Sequence, residues 1–213
     1  MSNDLVAYYA ARAKEYEKIY GKPERQGEIS DLTTLLLNVF PEKDVLEIAC
    51  GTGYWTQRIA KAAKNILATD INQPVIDVAK SKTYEKGNVT FQQADLFNFK
   101  TREYDALFGG FIWSHIKLEE LGKFIDTANS FVKPGGMVVF CDNNFTEGSS
   151  TPVSHTDEHG NSYQQRKLES GDTFSVIKNF PDENAFKKVL EGKGERIKFI
   201  SLKYYWLVIY HKK

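Results

Sequence analysis

The sequence predicts an α/β fold: a three-layer sandwich whose seven-stranded, mostly parallel sheet closes with an antiparallel strand pair. Three observations carry this. Short β-forming runs alternate with helical patterns from residue 44 to residue 141, which means right-handed crossovers and parallel strands. Those runs, such as Met137-Val-Val-Phe-Cys141, include continuously apolar stretches, as strands covered on both faces do. The last two runs, 196–202 and 204–211, are separated by Lys203 alone, so they pair antiparallel at a sheet edge.

Each element has its own signal. Helices are expected over 4–20 and about 26–40, stopped by Gly21-Lys22-Pro23 and by Pro41. The first strand, at 44–48, runs into Gly51-Thr52-Gly53. After that turn Trp55, Ile59, Ala60 and Ala63 form the apolar stripe of a helix. A second strand, 65–69, ends at Asp70, and Pro74 opens a helix to about Lys82. Strands at 89–93 and 104–108 follow. In the helix over 117–132, Leu118, Leu121, Ile125 and Ala128 recur every three or four residues. Lys133-Pro134-Gly135-Gly136 turns the chain into a strand at 137–141. Residues 143–160 make a polar loop of unusual length. Glu169-Ser170-Gly171-Asp172 then marks a hairpin between 162–168 and 173–177. A helix over 182–190 precedes the final pair. One domain over 1–213 is expected, with the segment 1–40 as a helical lid and 143–180 as an insertion beside it.

Composition narrows the partners. The chain has 213 residues, with 28 Lys+Arg against 28 Asp+Glu. A net charge of zero argues against a large electrostatic footprint for nucleic acid or anionic lipid. No apolar run approaches the roughly 18 residues of a membrane span. Met1-Ser2-Asn3-Asp4 opens no secretory signal. Cys50 and Cys141, on or beside strands, read as reduced small hydrophobes. A cytoplasmic protein with a small-molecule partner, and with no nucleic-acid or membrane partner, is expected.

The chemistry gathers on 44–56. Glycines between a strand and a helix let the backbone turn and approach a ligand closely. The helix after them aims free N–H groups and its positive dipole end at that ligand. Asp70 lies nineteen residues beyond Gly51. That is where an acid grips a ribose hydroxyl pair in nucleotide-binding βαβ units. The stretch therefore predicts a pocket for an adenosine-like ligand.

With Glu47-x-Ala49-x-Gly51-x-Gly53, Asp70, Asp95, Lys-Pro-Gly-Gly at 133–136 and the closing strand pair, the chain resembles the class I S-adenosylmethionine-dependent methyltransferases, a Rossmann-like family. Tyr8-Tyr9-x-x-Arg12-Ala13-x-x-Tyr16 and Gly110-Phe111-Ile112-Trp113-Ser114-His115 look like a bacterial branch acting on small molecules. Ala49 stands where the family often has glycine. The resemblance implies S-adenosyl-L-methionine as cofactor. Glu47 would orient its amino group, while Gly51 and Gly53 would let the backbone lie against it. Asp70 would accept from both ribose hydroxyls, and Ile71 would pack on the adenine. Asp95 would accept from the exocyclic amine, with Leu96 beside the ring. Ala49, Trp55, Gly110 and Phe111 would complete the cofactor wall. The implied activity is in-line methyl transfer to an oxygen or nitrogen of a small acceptor, held under the N-terminal lid and the 143–180 insertion.

Other readings stay open. A nicotinamide or flavin enzyme would carry a third glycine where Thr56 stands. A base-amino methyltransferase would carry Asn/Asp-Pro-Pro-aromatic where Gly109-Gly110-Phe111-Ile112 stands. A protein methyltransferase or a non-catalytic cofactor-binding protein would share the same fold. His115, just after the fourth strand, is either a general base or a histidine that caps the next helix or packs beside Trp113. Tyr9, Tyr16, Phe111 and Trp113 form either an aromatic lid or ordinary core. Arg12 and Arg166 either hold an anionic substrate group or are surface charges. His155, with Asp157 and His159, belongs to a solvated loop, faces substrate or, as alternating positions of an extended run, could hold a metal. No metal is expected.

Overall fold

The computed structural model describes residues 3–13 and 15–213, and nothing of the side chains of Asn3 and Asp4. Strands β1 (Asp44–Ile48), β2 (Asn65–Asp70), β3 (Val89–Gln93), β4 (Tyr104–Gly110) and β5 (Val132–Asn143) lie parallel. Strands β6 (His155–Thr156), β7 (Ser162–Lys167) and β8 (Thr173–Ile177) make a separate antiparallel sheet. Strands β9 (Gly194–Ser201) and β10 (Tyr205–Lys212) complete the main sheet, in the order β3-β2-β1-β4-β5-β10-β9. β10 pairs antiparallel with both neighbours and leaves β9 at the edge, as the spacing around Lys203 predicts.

Among the described residues six α-helices accompany these strands: α1 (Asn3–Ala11), α2 (Gln26–Val39), α3 (Tyr54–Ile59), α4 (Gln73–Lys80), α5 (Leu121–Ser130) and α6 (Glu183–Leu190). The period-2 alternation of the strands divides the core. Val45 of β1 joins Leu32 and Leu36 of α2 and Ile59 of α3 on one face. Leu46 and Ile48 join Phe124 and Ile125 of α5 and Phe186 of α6 on the other. Each fully buried leucine or phenylalanine contributes about 1.5–3 kcal/mol. Asp182 caps α6 by accepting from the Ala185 N–H at 2.8 Å.

The expected helix over 4–20 is broken. α1 ends at Ala11 and a 3-10 turn covers Tyr16–Gly21. The two halves have separate anchors: Leu5 and Tyr8 pack with Leu168, just past β7, and Val176 of β8, whereas Tyr20 belongs to the main core. The chain bends to serve both. Met1, Ser2 and Lys14 lie outside the described residues. β5 begins earlier than the apolar run, at Val132, which pairs with Tyr104. A register shift after that pair accommodates Lys133–Gly136.

Candidate active site

A cavity opens at the carboxyl ends of β1, β2 and β4. Ile48, Ala49, Gly51, Thr52, Asp70, Ile71, Asp95, Leu96, Gly110, Phe111 and His115 line it, and Leu5, Val6, Tyr9 and Tyr16 face them from the N-terminal segment. This is the crevice that an open α/β sheet offers a ligand. The backbone leaving β1 turns left-handed at Ala49 (φ 51°), Gly51 (φ 54°) and Gly53 (φ 78°). Alanine bears a cost of about 1–2 kcal/mol there, which glycine avoids. The Gly51 N–H donates to Asp70 Oδ2 at 2.9 Å, and the Asn72 N–H to Oδ1 at 2.9 Å. Asp70 thus ties the glycine turn to the end of β2. Burial raises its pKa, against the pull of those N–H groups.

Three of the expected cofactor residues stand behind this wall rather than on it. Gly53 makes room for α4: a Cβ there would lie 2.9 Å from the Ala79 Cβ. Trp55 stacks behind Phe111, with ring centroids 5.9 Å apart, and its indole N–H donates to the Tyr20 hydroxyl at 3.2 Å. It supports the cavity wall because its ring is buried in the main core. Glu47 is 2% exposed, and its Oε2 has no partner. Burial pushes its carboxyl up from 4.5 to about 8, with Thr56 acting in the opposite sense and Asp70 adding to the rise. Asp95 lines the cavity while its Oδ1 accepts from the Phe97 N–H at 3.1 Å and its Oδ2 from Asn98 at 2.7 Å.

A second cavity adjoins the first. Tyr9, Tyr16, Phe111 and His115 line both, so they form the partition. Phe111 holds a left-handed backbone (φ 61°), a strain that side chains this large rarely carry outside functional sites. Arg12 and Arg166 meet in the second cavity, and Lys22, Arg25 and Lys178 join them. Sequence reasoning missed the last three. Trp113 lies elsewhere. It is 1% exposed and packs on Phe140, Phe186 and Trp206, because its 3-10 turn points it into the α5–α6 layer. His155 is exposed, stacks on Tyr163 and lines neither cavity. Among the described residues no group of three or more His, Cys, Asp or Glu is placed to hold a metal.

His115 sits at the partition in a fixed tautomer. Its Nδ1 donates to the Ile177 carbonyl at 2.6 Å, so Nε2 is the acceptor for the Tyr9 hydroxyl at 2.7 Å. Burial first, then the Lys178 charge, pushes it from 6.5 down to about 3. The folded protein keeps this imidazole neutral while the unfolded chain takes up a proton below 6.5. Stability is therefore present above 6.5 and lost as pH falls toward 3, by roughly 1.4 kcal/mol per unit. Glu47 titrates in the opposite sense between 4.5 and 8. The expected outcome is thus a difference: His115→Gln narrows its stability gap to the parent protein as pH drops from 6.5 to 4.5, measured by denaturant unfolding. A gap independent of pH would refute the neutral assignment.

Residues 45–136 match the family model described as a methyltransferase domain. The demethylmenaquinone methyltransferase of Staphylococcus saprophyticus is 29% identical over 125 residues, which is 55% of this chain and 50% of that protein. A malonyl-[acyl-carrier protein] O-methyltransferase of Ilyobacter polytropus is 33% identical over 100 residues, 46% of this chain and 38% of that one. The chain therefore spans half or less of the length of these curated relatives. Among solved structures, the DhpI–SAM–HEP complex is similar over 99% of both chains, at 26% identity and a TM-score of 0.79.

Proposed function

We infer that this chain, which carries a methyltransferase domain in the class I fold, transfers a methyl group from S-adenosylmethionine to a small-molecule acceptor. The observation that carries this is the pair of cavities meeting at Tyr9, Tyr16, Phe111 and His115. One holds the acids suited to an adenosine, and the other is a polar chamber. The similarity to the DhpI–SAM–HEP complex and to small-molecule methyltransferases supports the same reading.

The residues present fit the cofactor. Asp70 and Asp95 offer carboxylates to a ribose and an adenine amine, Ile71 and Leu96 offer apolar faces, and Glu47 holds a buried oxygen without a partner. When bound, the sulfonium supplies a methyl group already activated for displacement. The chain's work is then alignment and exclusion of water. Tyr9, Tyr16 and Phe111 close the partition with aromatic rings, which attract positive charge by roughly 0.5–2 kcal/mol. The N-terminal segment acts as the lid and 143–180 as the insertion that shapes the acceptor chamber. His115 and Tyr9 position the acceptor. With its Nδ1 committed, its Nε2 engaged and its pKa near 3, His115 is a poor base. An acceptor that is already ionised, or that carries a free lone pair, suits it best.

Titration of S-adenosylhomocysteine tests the binding half, and its formation across an acceptor panel tests turnover. Binding without turnover on any acceptor would leave a cofactor-binding protein instead. Glu47 adds a proton signature. It is protonated near pH 7 in the free protein and ionises opposite the ligand's ammonium group. Calorimetry in buffers of different ionisation enthalpy at pH 7 is expected to show close to one proton released per ligand bound, abolished in Glu47→Gln. Equal proton release in both proteins would overturn the assignment.

A further inference from the structure

The second cavity is unusual in its charge. Arg12, Lys22, Arg25 and Arg166 line it, and among the described residues no Asp or Glu does. Lys178 lines it too, but its charge is answered by Asp142 at 2.6 Å. The other four meet only neutral partners. Arg12 donates to the Tyr8 hydroxyl at 2.8 Å. Lys22 donates to the Ser149 carbonyl at 2.7 Å, and Arg25 to the Ser149 hydroxyl at 2.9 Å. Arg166 donates to the Thr151 hydroxyl at 2.8 Å and to the Gln164 amide oxygen at 2.5 Å. Glu24 is exposed, accepts from the Ser149 hydroxyl at 2.9 Å and acts on Lys22 and Arg25 only through the longer-range field of its charge, with no ion pair to any of the four among the described residues.

Arg25 is only 6% exposed. A guanidinium buried that deeply, with aromatic rings but no ion-pair partner beside it, is costly to keep charged. Arg25 and Arg166 also crowd Lys22, which burial and their charges together hold below its ordinary pKa. Four like charges rooted in three separate segments, and converging on one chamber, are reconciled by a ligand that brings negative charge. A carboxylate is planar, and a single Arg fork satisfies it. Donors arriving from the turn after α1, from the turn before α2 and from β7 need oxygens spread in three dimensions. An ammonium-bearing group would be repelled.

We propose that this chamber anchors an acceptor bearing a doubly charged tetrahedral oxyanion, a phosphate or phosphonate group on a small molecule, held by Arg12, Arg25, Arg166 and Lys22. The assignment rests on the methyl-transfer reading for what lies across the partition, but its test is separate. The protein is first saturated with S-adenosylhomocysteine. It is then titrated with inorganic phosphate, methylphosphonate, acetate and a short single-stranded RNA at pH 8.

Phosphate and methylphosphonate are expected to bind saturably, and acetate at least tenfold more weakly. Arg166→Gln and Arg12→Gln should each weaken phosphate about tenfold or more. Arg25→Gln should do the same if it folds, and the other two variants keep the test sharp if it does not. Rising salt should weaken binding. Equal affinity for acetate, no saturation with either tetrahedral anion, or affinity unchanged in both Arg12→Gln and Arg166→Gln would overturn the proposal, and tighter binding of RNA would overturn the small-molecule assignment. Failure to bind S-adenosylhomocysteine would instead sink the methyl-transfer reading. Anion binding measured without that ligand keeps the two failures distinct.

Discussion

Asp70→Ala is expected to weaken S-adenosylhomocysteine binding by about a hundredfold or more, while the protein stays folded. Two charge-assisted hydrogen bonds to a ribose are worth about 1.5–3 kcal/mol each, so their joint loss reaches that factor. The same carboxylate also holds the Gly51 and Asn72 N–H groups, so the variant loosens the glycine turn before any ligand arrives. Stability should change much less. The two backbone bonds lost are offset by removing a carboxylate that burial already disfavours, as its raised pKa shows. Asp70→Asn separates the contributions. It keeps the size and one acceptor but places a donor against a backbone N–H, so its affinity should fall nearly as far. Calorimetric titration of the three proteins checks this. An unchanged dissociation constant in Asp70→Ala would remove the ribose assignment, and a matching collapse in unfolding free energy would recast Asp70 as a structural strut.

What could be read from the sequence was what local rules govern. β1, the glycine turn, α3 and Asp70 are one continuous strand-turn-helix unit followed by an acid at a fixed spacing, and the sheet places that acid against the turn. Ala49 was visible as a departure. The left-handed backbone there gives the physical reason glycine suits the position. The aromatic residues were not resolved by sequence. Trp55, Phe111 and Trp113 are equally apolar and near the same strand ends, yet only Phe111 faces the cavities while both tryptophans fill core. Which way a ring points there depends on helix packing across the sheet, and no spacing encodes it. The cation cluster was half legible. Sequence marks Arg12 and Arg166, but Lys22 and Arg25 lie in and just past a helix stop and look like ordinary surface charges. Only the placement of Ser149–Thr151 beside the turn at Pro23–Arg25 brings them in. Asp142 closes an apolar strand and Lys178 closes another, and a charge at the end of each is a candidate pair.

That pair sets the largest expected stability effect. Lys178 and Asp142 meet at 2.6 Å, with side chains 6% and 0% exposed. The Ser114 N–H and hydroxyl donate to the other oxygen of Asp142, at 3.1 and 2.7 Å. Lys178 also donates to the Ser114 hydroxyl at 2.6 Å. The triad thus joins the end of β5, the residue before His115 and the end of β8, and so fixes the small sheet to the main one. Lys178→Met strands a buried carboxylate and should cost about 3–5 kcal/mol. For a chain of this size that lowers the melting temperature by about 10 °C. The double variant Lys178→Met/Asp142→Asn should recover most of the loss, because the packing is kept and no charge is stranded.

The deficit should also depend on pH. In the parent protein burial pushes Asp142 up, but Lys178, His115 and the hydrogen bonds hold it below 3.8. Its contribution is present above 3.8 and lost as pH falls through the lower folded value. Without Lys178 burial prevails and the folded pKa lies above 3.8, so that variant gains relative stability as pH falls toward 3.8. Denaturant unfolding of the parent and both variants at pH 7.5 and 4.5 checks this. A deficit of the same size at both pH values would show that Lys178 supports the fold through its alkyl chain rather than through its charge.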